Sequence, residues 1–466
     1  MHYGLGVDLG TSFLAAAISR PGHQEMIVLG DRSVVAPAVV YRHEDGTIVT
    51  GDAAGRWGLT SPGRCGRDAV RRLGDPTPIM LGGVPHAVTD LLGAMLRDVV
   101  RTVSASQGGP PDHIVVTRPA GWGPHRCTLF DQVVTTAGPS GAVVVTAPEA
   151  AVAHYSASRR PDDGTTVAVY DLGGGTFDAA VLRTGPHRPE ILGAPEGLER
   201  LGGVDFDDVI LSYVNYRTGG ALSDLDLQDP RTAVALARLR QDCVAAKEAL
   251  SADSEATVPV YLPGGHLDVR LTRTELEDML RAPVESTISA LSRALRSARV
   301  SPGDLSAVLL VGGSSRIPLV GRMVPAALPG PPLVRLHPDH AVALGAAELA
   351  RRMPDAARRG PPGRLPPPGP GPVRGGPATA GPRMRRPVPP PGPPLPRPGS
   401  GPPPMVPAPP SAAQVEPEAV TGAEPQPGAG GDWQAPSIGR LLVIGTGLLA
   451  LAVVVGLVAY AVISRL

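Results

Sequence analysis

The chain has 466 residues, and its 43 basic and 43 acidic side chains cancel to a formal net charge of zero, which removes any overall pull toward nucleic acid. Three cysteines without close spacing (Cys65, Cys127, Cys243) exclude a disulfide framework and, by themselves, a zinc site, in keeping with a reducing compartment. Lys247 is the single lysine among the 43 basic residues and sits in AAKEA, so neither a Walker A loop nor a protein-kinase lysine can be built.

The stretch His2-Tyr3-Gly4 has no basic, apolar, small-residue leader, so no secretory signal is expected. Residues 3–18, YGLGVDLGTSFLAAAI, read as a strand ending at Asp8, a Gly10-Thr11-Ser12 turn and a second strand. Residues 34–110 carry short strands at 38–41 and 47–50 and a helical pattern at Leu91, Leu92, Met95, Val99 and Val100. A subdomain inserted on a first lobe is expected there. Continuous apolar runs at 113–117 and 141–146 have the length of strands in a covered sheet.

The organising stretch is 167–182, VAVYDLGGGTFDAAVL, a strand, a tight turn and a strand. Three consecutive glycines put no Cβ over the turn, so its backbone N–H groups can lie against an anion such as phosphate. Asp171 and Asp178 would repel bare phosphate but suit a hydrated Mg²⁺ bound to it. Three glycines alone fit an ordinary β-turn equally well; with Asp171, Thr176 and Asp178 beside them the reading becomes a phosphate-and-magnesium hairpin. It echoes the 3–18 hairpin about 160 residues earlier, which predicts two related α/β lobes offering phosphate turns to one cleft.

Further along, LGGVDFD at 201–207 reads as another glycine turn with carboxylates, leading into the apolar segment 209–214. A long helical pattern over 232–251 places Val244, Lys247 and Ser251 on one face. Thr272-Arg273-Thr274-Glu275 is a capping box opening a helix that Pro283 is expected to kink. Residues 307–311 form a buried strand, followed by GGSSRIP at 312–318, and 340–352 is helical. His337 and His340 lie three apart, a spacing more often structural than metal-binding.

From 354 the composition changes to proline and glycine with almost no large apolar residues, predicting an extended, disordered linker to about 440. Its reach is on the order of 250 Å at about 3.1 Å per residue of polyproline II. Residues 351–397 hold ten arginines against Asp355 alone, either lying on anionic lipid or acting as a solvated spacer; the PxxP matches offer docking to linker-binding partners. Residues 441–463 are uncharged and would span about 35 Å as a helix. A single-pass transmembrane helix is expected, with the arginine-rich side and the whole N-terminal part in the cytoplasm.

Together the two hairpins, LGGVDFD and GGSSRIP resemble the ATPase domain of the DnaK, or seventy-kilodalton heat-shock (heat shock protein 70), chaperone family, over residues 1–353 and in the family's order. The resemblance implies an actin-like pair of α/β lobes, duplicated ribonuclease H-like cores, around a cleft for ATP and Mg²⁺. By matching motif it implies that Gly10, Thr11 and Ser12 hold the phosphates from one lobe and Gly173, Gly174, Gly175 and Thr176 from the other. Asp8 and Asp178 would position hydrated Mg²⁺, and Asp171 would orient or deprotonate the attacking water. Gly202 and Gly203 match a lobe-bridging phosphate turn, Lys247 and Ser251 an adenosine-contacting helix, and Gly312, Gly313, Ser314 and Arg316 an adenine clamp.

Three departures bear on turnover. Arg71 stands where the family has an active-site lysine, Ala147 where it has a carboxylate near the metal unless Glu149 reaches in, and Val244 where it has a ribose-facing glutamate. Residues 354–466 carry no pattern resembling the family's peptide-binding sandwich or helical lid, so client binding by the family's usual cleft is not expected from them. The implied function is therefore a membrane-tethered, ATP-hydrolysing, chaperone-type protein that switches shape with nucleotide state and acts on unfolded or membrane-proximal clients. A nucleotide-sensing scaffold with little hydrolysis is the alternative; a small-molecule kinase on the same fold lacks an acceptor-site signature.

Overall fold

A computed structural model describes residues 2–137, 141–226, 229–262 and 265–353, all within the first of two units, Met1–Pro368. The linker and membrane-helix expectations fall outside the described residues. Among those residues no helix is long and apolar enough to cross a membrane.

The first half runs β1 (Gly4–Leu9), β2 (Phe13–Arg20), β3 (His23–Ile27), β4 (Val35–Pro37), β5 (Val40–Arg42), β6 (Ile48–Thr50) and α1 (Gly51–Thr60). It continues with β7 (Cys65–Gly66), β8 (Ile79–Leu81), β9 (Val84–His86), α2 (Val88–Gln107), β10 (His113–Arg118), α3 (Pro124–Ala137), β11 (Val143–Thr146) and α4 (Ala147–Arg159). The second half holds β12 (Thr166–Leu172), β13 (Phe177–Arg183), β14 (Glu190–Leu198), α5 (Gly203–Arg217), α6 (Pro230–Ala249), β15 (Glu255–Leu262) and β16 (Gly265–Thr272). After these come α7 (Arg273–Ala298), β17 (Ala307–Val311), α8 (Pro318–Ala327), β18 (Leu333–Arg335) and α9 (Ala341–Arg351).

The two main sheets repeat one topology. In the first, β1 pairs antiparallel with β2 and parallel with β10, giving the order β11-β10-β1-β2-β3; in the second, β12 pairs antiparallel with β13 and parallel with β17, giving β18-β17-β12-β13-β14. The echo in the sequence is thus a structural duplication, and the described residues form a mixed α/β domain consistent with the two-lobed, actin-like expectation.

Strand alternation sorts each sheet's two faces. Leu5 and Val7 of β1 pack with Leu92 and Met95 of α2 and Phe130 of α3, while Tyr170 and Phe177 of the second sheet pack with Leu280, Val284 and Leu291 of α7. The Tyr170 hydroxyl and Thr287 Oγ1 lie 2.6 Å apart inside that core, so the buried phenol is satisfied. On the opposite faces lie α4 and α9. Val167, Val169 and Leu309 contact Ala150 and Ala153 of α4 and Ala346 of α9 in one cluster. On β1 the face toward α9 is glycine: a Cβ on Gly6 would fall 2.2 Å from Ala347 N and 2.3 Å from Ala343 O. Where the two helices cross, a Cβ on Gly345 would lie 1.7 Å from the Ala150 carbonyl oxygen, so their backbones touch.

A buried carboxylate clasps α9 to the first sheet. Glu348 Oε2 accepts from Gln24 Nε2 at 2.9 Å and Ser19 Oγ at 3.4 Å, and its two oxygens also accept from Arg351 Nε at 3.0 Å and Arg352 Nε at 2.9 Å. Burial pushes its pKa up, but the guanidinium hydrogen bonds from Arg351 and Arg352 outweigh burial and leave it below the ordinary value. A lowered folded-state pKa stabilises the fold above the unfolded glutamate range near ~4.3, and that contribution is lost as pH falls through the folded value. Glu348→Ala is expected to cost about 3 kcal/mol at neutral pH, because it leaves buried donors unpaired. Chemical denaturation would check this, and a loss below about 1 kcal/mol would show that the clasp is dispensable.

Three local expectations are revised. α2 is not part of an inserted subdomain: Leu91, Leu92, Met95 and Val99 share the core of Leu5 and Val7. The turn at 201–207 is shorter than the sequence implied, since Gly203 onward is helical under the Gly202 cap. The strand expected at 38–41 begins at Val40, after a bend in which Val39 N donates to Pro37 O. α7 extends on both sides of Pro283, from Arg273 to Ala298.

Candidate functional site

The glycine turns meet. A Cβ on Gly174 would stand 2.0 Å from Ser12 Oγ, and one on Gly175 would stand 3.0 Å from Thr11 Oγ1 and 2.5 Å from Arg71 Cδ. The tip of the β12–β13 hairpin therefore lies directly against the β1–β2 tip, where Gly10 bends close over Phe13 O. Gly173 N donates to Thr176 O at 3.0 Å, closing the second tip. The start of α5 then docks on it, Gly203 N donating to Gly173 O at 3.1 Å and Val204 N to Gly174 O at 2.7 Å.

The GGSSR turn completes the ring. Gly312 has φ +81°, and a Cβ there would strike Leu172 O at 2.4 Å and Asp171 Oδ1 at 2.7 Å, so any side chain is both strained and blocked. Ser314 Oγ lies 2.8 Å, and Lys247 Nζ 3.0 Å, from where a Gly203 Cβ would be. Lys247 Nζ donates to Gly203 O at 2.9 Å and pairs with Asp207 Oδ1 at 2.8 Å, both side chains being nearly enclosed. Its ammonium is thus held at the turn rather than solvated. Gly202 lies beside Gly174 and Gly175, and Gly202 N donates to Asp205 Oδ2 at 2.9 Å.

Not every expected residue reaches this ring. Ser251 sits in the turn after α6, where its N–H donates to Glu248 O at 3.1 Å, and its hydroxyl makes no hydrogen bond among the described residues. Gly313 and Arg316 are exposed on the 3₁₀ turn Gly313–Arg316, and Arg316 makes no ion pair among the described residues.

Three carboxylates face one another beneath the turns. Burial, then the charges of Asp178 and Asp8, push Asp171 well above the ordinary carboxylate range. Burial raises Asp178 to about 7, opposed by the amides of Gly121 and Ala120; Gly121 N donates to its Oδ1 at 3.0 Å. Burial raises Asp8 to about 6, opposed by Thr117 Oγ1, which donates at 2.6 Å. Like-charged groups confined in this way disfavour full ionisation and are relieved by a cation among them. No three His, Cys, Asp or Glu side chains among the described residues converge as a direct coordination sphere, His337 and His340 included; those two rings stack with centroids 3.5 Å apart.

The departures have specific geometries. Arg71 Nη2 donates to Asp205 Oδ1 of α5 at 2.8 Å, with Arg71 12% exposed, so the guanidinium is engaged across the two halves. Glu149 does not reach in. It is the third residue of α4, where its Oε2 accepts from Thr146 N and Oγ1 at 2.8 Å and its Oε1 from Arg188 Nε at 2.8 Å. No carboxylate of the 147–149 segment therefore replaces the one absent at Ala147. Thr117, Gly121, Asp205 and Asp207 were not singled out from the sequence. The acidic residues of LGGVDFD were visible, but which basic partner each takes is a tertiary fact.

An Hsp70 protein family model matches residues 81–353. The Chaperone protein DnaK sequences of Thermotoga neapolitana and Thermotoga petrophila are each 31% identical to the chain over 351 residues, covering 74% of this chain and 58% of the relative. With a mixed α/β fold and its glycine turns converged, the chain belongs to the Hsp70 family. It spans somewhat more than half the length of the curated relatives it matches.

Proposed function

We propose that residues 1–353 form a nucleotide-binding domain that takes Mg·ATP between the two hairpin tips and hydrolyses it slowly, as a chaperone-type switch. The observation that carries this reading is the convergence of four turns, from Gly10 to Ser314, around Asp8, Asp171 and Asp178. The residues fit the group. Glycines where a Cβ would collide let the turn tips close on one another, and the carboxylates suit a cation held through its water ligands.

In that reading Gly10, Thr11, Ser12 and Gly173 to Thr176 bind the phosphates, and Gly202 and Gly203 bridge the lobes. Asp8 and Asp178 hold water ligands of Mg²⁺, which when bound would neutralise charge on the transferring phosphoryl group. Asp171, with its raised pKa, orients the attacking water and takes up its proton. Lys247, Ser251, Gly312, Gly313, Ser314 and Arg316 frame the adenosine, the exposed Arg316 being free to stack on the base. Residues 441–463 tether the domain to the bilayer from the cytoplasmic side, after the 354–440 linker. Clients follow from the family, and linker-binding partners from the PxxP matches of residues 354–440.

A second reading, a nucleotide sensor that barely hydrolyses, is favoured by the engagement of Arg71 with Asp205 and of Glu149 with Arg188, which withdraws two candidate charge stabilisers. Calorimetry of the full-length chain with ATP and ADP, followed by single-turnover hydrolysis with and without Mg²⁺, separates the two. Binding with Mg²⁺-dependent phosphate release supports the enzyme, binding with a rate no better than buffer supports the sensor, and indifference to adenine nucleotides up to about 1 mM ends both.

A further inference from the structure

Beside the glycine ring is a cavity of about 190 Å³ whose lining includes Arg71, Arg72, Arg126 and Arg200. We propose that it is a separate binding site for a free tetrahedral oxyanion, inorganic phosphate, between the two halves of the domain.

Charge and geometry both point to an anion. Four guanidiniums meet three carboxylates, Asp75 beside Arg72, Glu199 beside Arg126 and the Asp205 that pairs with Arg71, so the walls keep one surplus positive charge, on Arg200. Arg126 Nη1 pairs with Glu199 Oε1 at 2.7 Å, and Arg72 Nη2 donates to Thr77 O at 2.8 Å. Arg71 gives one nitrogen to Asp205, and Arg200 is exposed without an ion pair among the described residues. Each guanidinium has five N–H donors in a planar fork, so donors remain on all four. Planar forks match the oxygen edges of phosphate in pairs. At about 30 Å³ per water the space holds roughly six waters, enough for one small anion with part of its hydration and too little for a peptide or nucleotide.

The turn Arg72 to Asp75 is shaped for this role. Gly74 has φ +91°, and a Cβ there would approach Arg126 Cγ at 3.2 Å, so glycine lets the Arg126 stem lie across the turn and points its head into the cavity wall. Arg71 stands between the two compartments, its Cδ packed on Gly175 of the phosphate turn and its head on the cavity. An anion leaving the glycine ring on that side meets this cavity next. The assignment of the anion as product phosphate rests on the hydrolytic reading above; the capacity to bind phosphate does not.

The test uses the full-length chain in a non-ionic detergent, titrated calorimetrically with sodium phosphate at low salt, without nucleotide or Mg²⁺. One site is expected, weakened about threefold by Arg200→Gln and at least about tenfold by Arg126→Gln with Arg200→Gln. Glu199→Gln is expected to tighten phosphate binding, because it frees Arg126 from its competing carboxylate; a merely structural Glu199 would not do so. Arg200 is exposed, so its variant remains folded, and circular dichroism verifies each protein. No phosphate heat with the wild type up to about 20 mM overturns the proposal. So does unchanged affinity in the double variant, or binding that appears only with Mg²⁺, which would locate the anion in the glycine ring. Loss of ATP binding with phosphate binding intact would remove the source of the anion and leave the site standing.

Discussion

Asp171→Asn is expected to lower single-turnover ATP hydrolysis by at least about 100-fold while changing ATP affinity by no more than a few fold. Asp171 is the most strongly perturbed of the three facing carboxylates, raised by burial and by two neighbouring negative charges. A side chain poised in this way takes a proton from water more readily than one with an ordinary carboxylate pKa. Asparagine keeps the shape, and it removes one negative charge from a crowded set, so phosphate binding is preserved or improved. Equal losses of affinity and rate would mean that Asp171 holds the nucleotide rather than the water. The measurement is quench-flow with enzyme in excess, paired with calorimetry.

Gly345→Ala is expected to destabilise the domain by about 3 kcal/mol or more, or to prevent folding. The new methyl carbon would fall 1.7 Å from Ala150 O, and backbone cannot swing aside as a flexible side chain can. α4 packs on the second sheet and α9 on the first, so separating them also separates the two halves. Thermal unfolding compared with Gly55→Ala, at a half-buried position of α1 where a Cβ would meet open space, isolates the steric effect. A Gly345→Ala protein as stable as the Gly55→Ala control would mean that the crossing has slack.

The duplication into two related lobes was legible because each half repeats strand, acidic residue, glycine turn and strand, a pattern set by local chemistry; the order of the strands in each sheet was not. The boundaries of β17 and the capping box of α7 were also correct, for the same reason. α4 went unread although Thr146 and Glu149 carry the same capping signal as Thr272 and Glu275. Its alanine-rich face lacks the large apolar residues that mark a helix by periodicity. β15 and β16 were missed because only Val258, Val260, Val269 and Leu271 are buried, two per strand, too short an alternation to mark a strand, and Pro259 argues against one. For the site, the glycines and aspartates were readable one motif at a time. Which acid neutralises Arg71 or Lys247 was not, because Asp205 and Asp207 sit two apart on one turn and only the packing of α5 assigns them to different partners.

The tie between Lys247 and Asp207 bears on how this protein can be chemically tagged. Acetyl groups, ubiquitin and most coupling reagents are directed to side-chain amines, and in this sequence there is a single such amine, shut between Gly203 and Asp207. The arginine-rich exterior is inert to all of them. Attachment at a lysine side chain would therefore be confined to molecules in which α5 and α6 have come apart.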